Sequence, residues 1–168
     1  LADRPPGWFT QWNGDGILAR IGDQRSADAL IDLGIPMIDL RGILPDLEVP
    51  FVGVDNESVA ELAFEHFQTR GFRSFGMVGT PDHYHPHLDE RCRHFSALVA
   101  KAGLKCRMFR DTRFGNPSMD WESEQQSIAE WLQTLPSPIA LLCVNDLMAR
   151  ETIEACHRAG LSVPDQVA

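Results

Sequence analysis

The sequence predicts an α/β fold with a parallel sheet, and three observations support this prediction. Short apolar runs of strand length alternate with longer segments of helical periodicity, and clusters of Gly, Pro, Asn and Asp separate them. This order is typical of repeated β-α units, whose strands run parallel. The composition, 43% hydrophobic and 23% charged, is that of an ordinary globular protein. The predicted strands cover residues 16–21, 36–40, 51–54, 74–79, 105–110 and 139–144.

Four amphipathic helices are predicted between these strands, and most have recognisable ends. The first follows Asp55 and Asn56, both good N-cap residues, and ends before Gly71. The second ends at Gly103, the third lies between the N-cap candidate Asp120 and Pro136, and the fourth covers about 147–159. The chain stops where another strand is expected, so we expect the fold to be incomplete at both ends.

The charge balance makes direct contact with nucleic acid unfavourable. Lys and Arg number 15 against 24 Asp and Glu, which gives a net charge of −9, and there is no run of basic residues. The apolar runs are too short to span a bilayer, which takes about 20 residues. The four cysteines have no C-x-x-C spacing, and three of them lie in apolar periodic segments, which predicts reduced thiols in the cytoplasm.

Two short motifs resemble a nucleotide-binding site and a metal-binding site, but each lacks part of the structural context that such a site needs. The segment GDGILA at 14–19 matches a dinucleotide fingerprint, but it precedes a predicted strand instead of following one, which favours a simple turn. His83, His85 and His87 alternate in a Pro-bounded loop and could hold a metal, but a solvated or ligand-facing loop is the preferred interpretation. The common nucleophile and metal-hydrolase signatures are absent, so we expect no catalytic residue, no metal and no cofactor.

A set of polar and planar residues lies near the carboxyl ends of the predicted strands, where open α/β sheets bind ligands. Guanidinium and carboxamide groups can hold sugar hydroxyls, and an indole ring can cover the C–H face of a sugar. Most of these residues also have a structural alternative, which is a surface charge for Arg91, a core anchor for Trp121 and a helix cap for the side chains of Asp55 and of Asn145 or Asp146. The candidates are Asp39, Arg41, Asp55, Arg91, Trp121, Asn145 and Asp146.

Seven segments of the chain are similar to one known family. They are WNGDGILA at 12–19, GIPM at 34–37, VDN at 54–56, EHFQTRGF at 65–72, DER at 89–91, VND at 144–146 and AGLSVP at 159–164. The chain thereby resembles the effector-binding domain of lactose-repressor-type regulators. Trp121, Gln125 and the segment WLQTLP at 131–136 are similar to the xylose-operon regulators within that family, which carry an AraC-type DNA-binding domain.

The resemblance implies a periplasmic-binding-protein-like type I fold, with two Rossmann-like parallel-sheet lobes and a sugar between them. Residues 1–54 would be part of the N-terminal lobe, and residues 55–168 would form most of the C-terminal lobe. By position, Arg91 would hold sugar hydroxyls, Trp121 would stack on the sugar ring and Asn145 would bind a hydroxyl. Two departures from the family pattern affect the identity of the ligand: His94 stands where the family often has Gly, and Arg41 where some members are acidic.

The expected function is therefore that of a cytoplasmic sugar sensor that binds a pentose such as xylose and makes or breaks no bond. The expected partners are the sugar, DNA through a domain absent from this chain, and a second copy in a homodimer, with no membrane. One alternative is an α/β enzyme that uses Asp82 with His83, His85 or His87 as acid-base groups. Another is a transport-type sugar-binding protein of the same fold.

Overall fold

The structure is a computed structural model, and it describes residues 7–44, 46–110 and 120–168. The chain divides into two compact units, Leu1–Val54 (unit 1) and Asp55–Ala168 (unit 2). Unit 1 contains a short 3-10 helix, Gly7–Gln11, followed by β1 (Ile17–Ala19), α1 (Gln24–Ile31) and β2 (Met37–Asp39). Unit 2 contains α2 (Asn56–Thr69), β3 (Phe75–Gly79), α3 (Pro86–Lys101), β4 (Cys106–Arg110), α4 (Trp121–Gln133), β5 (Ala140–Cys143) and α5 (Asp146–Arg158).

Unit 2 is built on a parallel three-stranded sheet in the order β4-β3-β5. All five residues of the central strand β3 are buried. One core cluster joins α2 and α3 to the sheet through Ala60, Phe95 and Phe75. A second joins α4 and α5 to it through Ile128, Cys156 and Leu141. Separate clusters for two pairs of helices are typical of a parallel sheet that is covered on both faces.

Unit 1 pairs β1 with β2 in parallel. Its core contains Ile21, Ala27, Leu30 and Met37. Asp23 caps α1, because its carboxylate accepts a hydrogen bond of 2.9 Å from the backbone N–H of Ser26. This helix was not predicted from the sequence.

The predicted α/β fold class is confirmed, and so are the four predicted helices. For α2, Asp55 is the N-cap, and Gly71 adopts a φ of +83° just after the helix, a conformation that glycine takes at no steric cost. The predicted strand at 51–54 is wrong, because only Phe51 pairs with β2, through a single bridge to Asp39. Val52 and Val54, in the same segment, are exposed.

The cysteines are free thiols, and Cys92 and Cys156 are buried. Burial raises the pKa of Cys106 to about 11, and burial is also the main cause of a pKa of about 11 at Cys156. No helix in the described part of the chain combines the length and the hydropathy needed to cross a membrane.

Candidate functional site

The sheet of unit 2 has a topological switch point. The chain passes from β3 to β4 on one side and then crosses to β5 on the other side. Open parallel sheets bind ligands in the crevice beyond the carboxyl ends of the two strands at such a point, here β3 and β5. Thr80 directly follows β3, and Val144 follows β5. We call this edge the switch-point crevice.

Arg91 reaches this crevice from α3. Its Nε donates a hydrogen bond of 3.1 Å to Oδ1 of Asn56, and its Nη1 donates one of 2.6 Å to the carbonyl oxygen of Val144. The guanidinium thus connects α3 to the start of α2 and to the end of β5. Both acceptors are uncharged, and partial burial lowers the pKa of Arg91 below its ordinary value. The hydrogen bonds that Arg91 makes with described residues leave its Nη2 available for a ligand.

Asn145 lies beside Val144 and caps α5. Its Oδ1 accepts a hydrogen bond of 2.9 Å from the backbone N–H of Met148, so the cap uses the carboxamide oxygen and leaves the Nδ2 donor group. Asp146, the first residue of α5, is exposed. The crevice therefore brings Arg91 and Asn145 close together, because Arg91 binds the carbonyl of the residue that precedes Asn145.

Asp55 is fully exposed and caps α2. Its carboxylate accepts hydrogen bonds from the backbone N–H (3.0 Å) and the hydroxyl (2.8 Å) of Ser58. The first of these bonds is the main reason that the pKa of Asp55 lies below its ordinary value of 3.8. The helix-cap alternative thus accounts for the hydrogen bonds that the Asp55 carboxylate makes with Ser58.

Trp121 is not brought to the switch-point crevice. It begins α4, it is 48% exposed, and its ring lies 4.8 Å from Cζ of Arg158 in a cation–π contact. Arg158 ends α5, whereas Asn145 caps its beginning, and a helix of 13 residues is about 20 Å long. The ring-stacking role beside Arg91 therefore has no geometric support here, because Arg158 and the ion pair that it forms with Glu122 hold this end of α4 at the far end of α5. The core-anchor alternative is also wrong, because the side chain is half exposed.

Asp39 and Arg41 lie in unit 1, where Asp39 is the last residue of β2 and Arg41 follows two residues later. Asp39 is 2% exposed, and its carboxylate accepts hydrogen bonds from the backbone N–H groups of Ile21 (3.2 Å), Arg41 (2.8 Å) and Gly42 (2.8 Å). The Asp39 carboxylate thus organises its own loop and presents no surface to a ligand. Arg41 is half-buried, and its Nε has no hydrogen-bond partner among the described residues.

Three residues at the carboxyl edge of unit 2 were missed as site residues. Asn56 was seen only as an N-cap candidate, yet it is 5% exposed and holds Arg91. Thr80 is 1% exposed, and its hydroxyl has no partner among the described residues. Arg110, which ends β4, binds the carbonyl of Thr80 at 3.0 Å. A polar residue at the end of each predicted strand was the signal for Thr80 and Arg110.

His83, His85 and His87 do not assemble a metal centre in the structure. Within the described ranges, no three His, Cys, Asp or Glu side chains come together as metal ligands. The rings of His85 and His87 are in edge contact at 6.1 Å. The segment GDGILA at 14–19 leads into β1, so no helix N-terminus follows it to hold a phosphate.

An open parallel sheet with hydrogen-bond donors at its switch point defines a class of α/β domains that bind small molecules at the sheet edge. Comparison with known proteins identifies the family. A model described as a periplasmic binding protein-like domain matches residues 64–168. The chain belongs to this periplasmic binding protein-like family, which confirms the fold and the resemblance predicted from the sequence.

Several proteins similar to this chain are transcriptional regulators. The xylose operon regulatory protein of Escherichia coli (strain K12) is 28% identical over 161 residues, which cover 93% of this chain and 41% of that regulator. A structure of the xylose-binding transcription activator xylR matches with a TM-score of 0.80 and 28% identity. The match covers 94% of this chain and 42% of the xylR chain. A regulatory protein of the LacI family from Chloroflexus aggregans shares the fold, with a TM-score of 0.67 and 19% identity. The match covers 96% of this chain and 57% of that protein's chain. This chain thus spans 41% of the length of the curated relative.

Proposed function

We propose that this chain is the effector-binding part of a transcriptional regulator that senses a small sugar, a pentose such as xylose, and does not transform it. Its similarity to a xylose operon regulator and to a xylose-binding activator supports this proposal. The observation that carries it is the state of Arg91, whose guanidinium is anchored by two neutral acceptors and keeps Nη2 available.

The switch-point crevice offers mainly hydrogen-bond donors to a ligand. Asn56 Oδ1 and the Val144 carbonyl already accept from Arg91, and Asn145 Oδ1 already accepts from Met148. Among the described residues, the groups not used in these bonds include the Arg91 Nη2, the amide nitrogen of Asn145 and the hydroxyl of Thr80, and all three can donate to the lone pairs of sugar hydroxyls. We assign Arg91 and Asn145 as sugar contacts, and we place no ligand role on Asp39, Asp55, Asp146 or Trp121.

In the proposed mechanism, units 1 and 2 are the two lobes of a hinged clamp, and the sugar favours the closed state. A ligand shifts such an equilibrium only by binding one state better, and a change from 1:99 to 99:1 requires about 5.5 kcal/mol of differential binding. Two or three charge-assisted hydrogen bonds, each worth about 1.5–3 kcal/mol, supply energy on this scale. We further propose that the regulator is a cytoplasmic homodimer and that a domain outside this chain binds the DNA.

Isothermal titration calorimetry of the intact protein that contains this chain tests the proposal, with D-xylose, L-arabinose, D-ribose and D-glucose as probes. We expect one pentose to bind, and we expect Arg91→Ala to weaken its binding at least tenfold. The matched control is Arg93→Ala, because Arg93 lies on the same helix with its side chain 71% exposed. The sugar recovered after the titration should be chemically unchanged. Absence of binding by every probe, or turnover of the bound sugar, overturns the proposal.

A further inference from the structure

Arg110 ties three parts of unit 2 together at the carboxyl edge of the sheet. It is the last residue of β4. Its Nη1 donates to the carbonyl oxygen of Thr80 at 3.0 Å and to Oδ1 of Asp89 at 3.3 Å, and its Nη2 lies 2.8 Å from Oδ1 of Asp82. One guanidinium therefore holds the loop that follows β3 and the first turn of α3 against the end of β4.

The carboxylate of Asp89 contacts both Arg110 and the loop that follows β3. While Oδ1 faces Arg110, Oδ2 accepts a hydrogen bond of 2.9 Å from the backbone N–H of His83. His83 has a φ of +65°, the left-handed region that few residues other than glycine adopt. The Asp89 carboxylate thus stabilises an unfavourable backbone conformation in the loop, and Arg110 holds that carboxylate in place.

The start of α3 depends on these contacts more than the other helix starts do. Asp23, Asp55, Asp120 and Asn145 cap the other four α-helices through their side chains, whereas His85, at the N-cap position of α3, makes no side-chain cap bond. Asp89 lies in the first turn of α3, two residues before Arg91. The contact with Arg110 therefore holds the first turn of α3, and Arg91 projects from the turn that follows it.

The Arg110–Asp89 pair is also the stronger part of the cluster. The two side chains are only 28% and 17% exposed, whereas Asp82 is 67% exposed. Exposed ion pairs contribute little because water and salt screen them. Most of the positioning effect should therefore come from Asp89, and Asp82 should add a minor share.

We propose that Arg110 is a positioning residue for Arg91: by holding Asp89 and the loop that contains His83, it aims the Arg91 guanidinium into the switch-point crevice and so sets the affinity for the ligand. This inference rests on the proposed function, because it assigns Arg110 a role in the binding step of the same site.

The test compares Arg110→Met, Arg110→Lys and the control Arg107→Met, which removes an exposed arginine from the same strand. We expect Arg110→Met to weaken pentose binding five- to tenfold, Arg110→Lys to recover part of the loss, and Arg107→Met to bind like the wild type. In the ligand-free protein, hydrogen exchange at the His83 amide should accelerate at least tenfold in Arg110→Met and remain unchanged in Arg107→Met.

A double-mutant cycle separates positioning from a general loss of stability. If Arg110 acts through Arg91, Arg110→Met should cause less than a twofold further loss of affinity in the Arg91→Ala background. Wild-type affinity in Arg110→Met, or a full additional loss in that background, overturns the inference while the proposed function stands. A wild type that binds none of the pentoses defeats the proposed function, and the exchange rate of the His83 amide then decides whether Arg110 positions the loop.

Discussion

Replacing Asn56 with alanine removes the acceptor that holds Nε of Arg91. The side chain of Asn56 is almost fully buried, and the bond that it receives is charge-assisted, at 3.1 Å. Hydrogen bonds to charged groups contribute about 1.5–3 kcal/mol to stability. Because Arg91 is only half-buried and water can replace part of the lost bond, we expect a loss of about 1.5–2 kcal/mol in unit 2.

The predicted loss is measurable by two methods. For a domain of this size, 1 kcal/mol shifts Tm by about 4 °C, so calorimetry should show a decrease of about 6–8 °C. Urea unfolding followed by circular dichroism should show a lower midpoint with an unchanged slope. The Asn56→Ala variant should also bind the pentose more weakly than the wild type, because Arg91 loses one of its two anchors.

Asn56→Asp is the matched control, since it keeps the shape of the side chain and an acceptor for Nε. We expect this variant to retain the stability of the wild type, because a carboxylate in the first turn of α2 also interacts favourably with the helix dipole. An ordinary surface substitution changes the free energy of unfolding by about 0.5 kcal/mol or less. If the free energy of unfolding of Asn56→Ala differs from that of the wild type by no more than this, the bond between Asn56 and Arg91 does not stabilise unit 2, and the reasoning is refuted.

Three further predictions concern the rest of unit 2. Phe95 is fully buried among Phe64, Phe67 and Phe75, so Phe95→Ala should lower the free energy of unfolding by about 3–5 kcal/mol in urea denaturation. Hydrogen bonds from Ser123 lower the pKa of Asp120 below its ordinary value of 3.8, so the stability that this cap adds is complete above pH 3.8 and is lost as the pH falls through the lowered pKa. The difference in unfolding midpoint between the wild type and Asp120→Ala should therefore shrink at low pH. It should stay constant from pH 5 to pH 7, because both pH values lie well above the ordinary pKa of an Asp side chain, about 3.9. Cys156, with a pKa of about 11, should resist alkylation at pH 8 in the native protein and react in urea, as mass spectrometry can show.

The local signals in the sequence predicted the helices of unit 2 well. Asp55 caps α2 through Ser58, three residues ahead, and Gly71 ends it, so the evidence for that helix lies within its own segment. Asp23 and Ser26 provide the same signal for α1, which was overlooked because the helix is only eight residues long. The segment 51–54 is apolar enough for a strand, but periodicity cannot show that only Phe51 pairs with a neighbour.

The site was harder to predict because its contacts join distant parts of the chain. Arg91 was proposed as a site residue from the sequence, and its role stays a prediction; its partners lie 35 and 53 residues away, and one of them is a backbone carbonyl that no sequence motif encodes. The same limit applies to Trp121, whose position depends on how α4 crosses α5. Its ring contacts Arg158, which follows β5 in the sequence, and no pattern within the segment around Trp121 predicts that contact.

The bond between Arg91 and Asn56 connects the guanidinium to the first residue of α2. Asn56 is the second residue of unit 2, and Asp55 follows the boundary at Val54 directly. Under the proposed function, a ligand that reoriented the guanidinium would therefore act on the first turn of α2 through a single hydrogen bond. The beginning of unit 2 would then respond to the crevice directly, without an intervening series of residues.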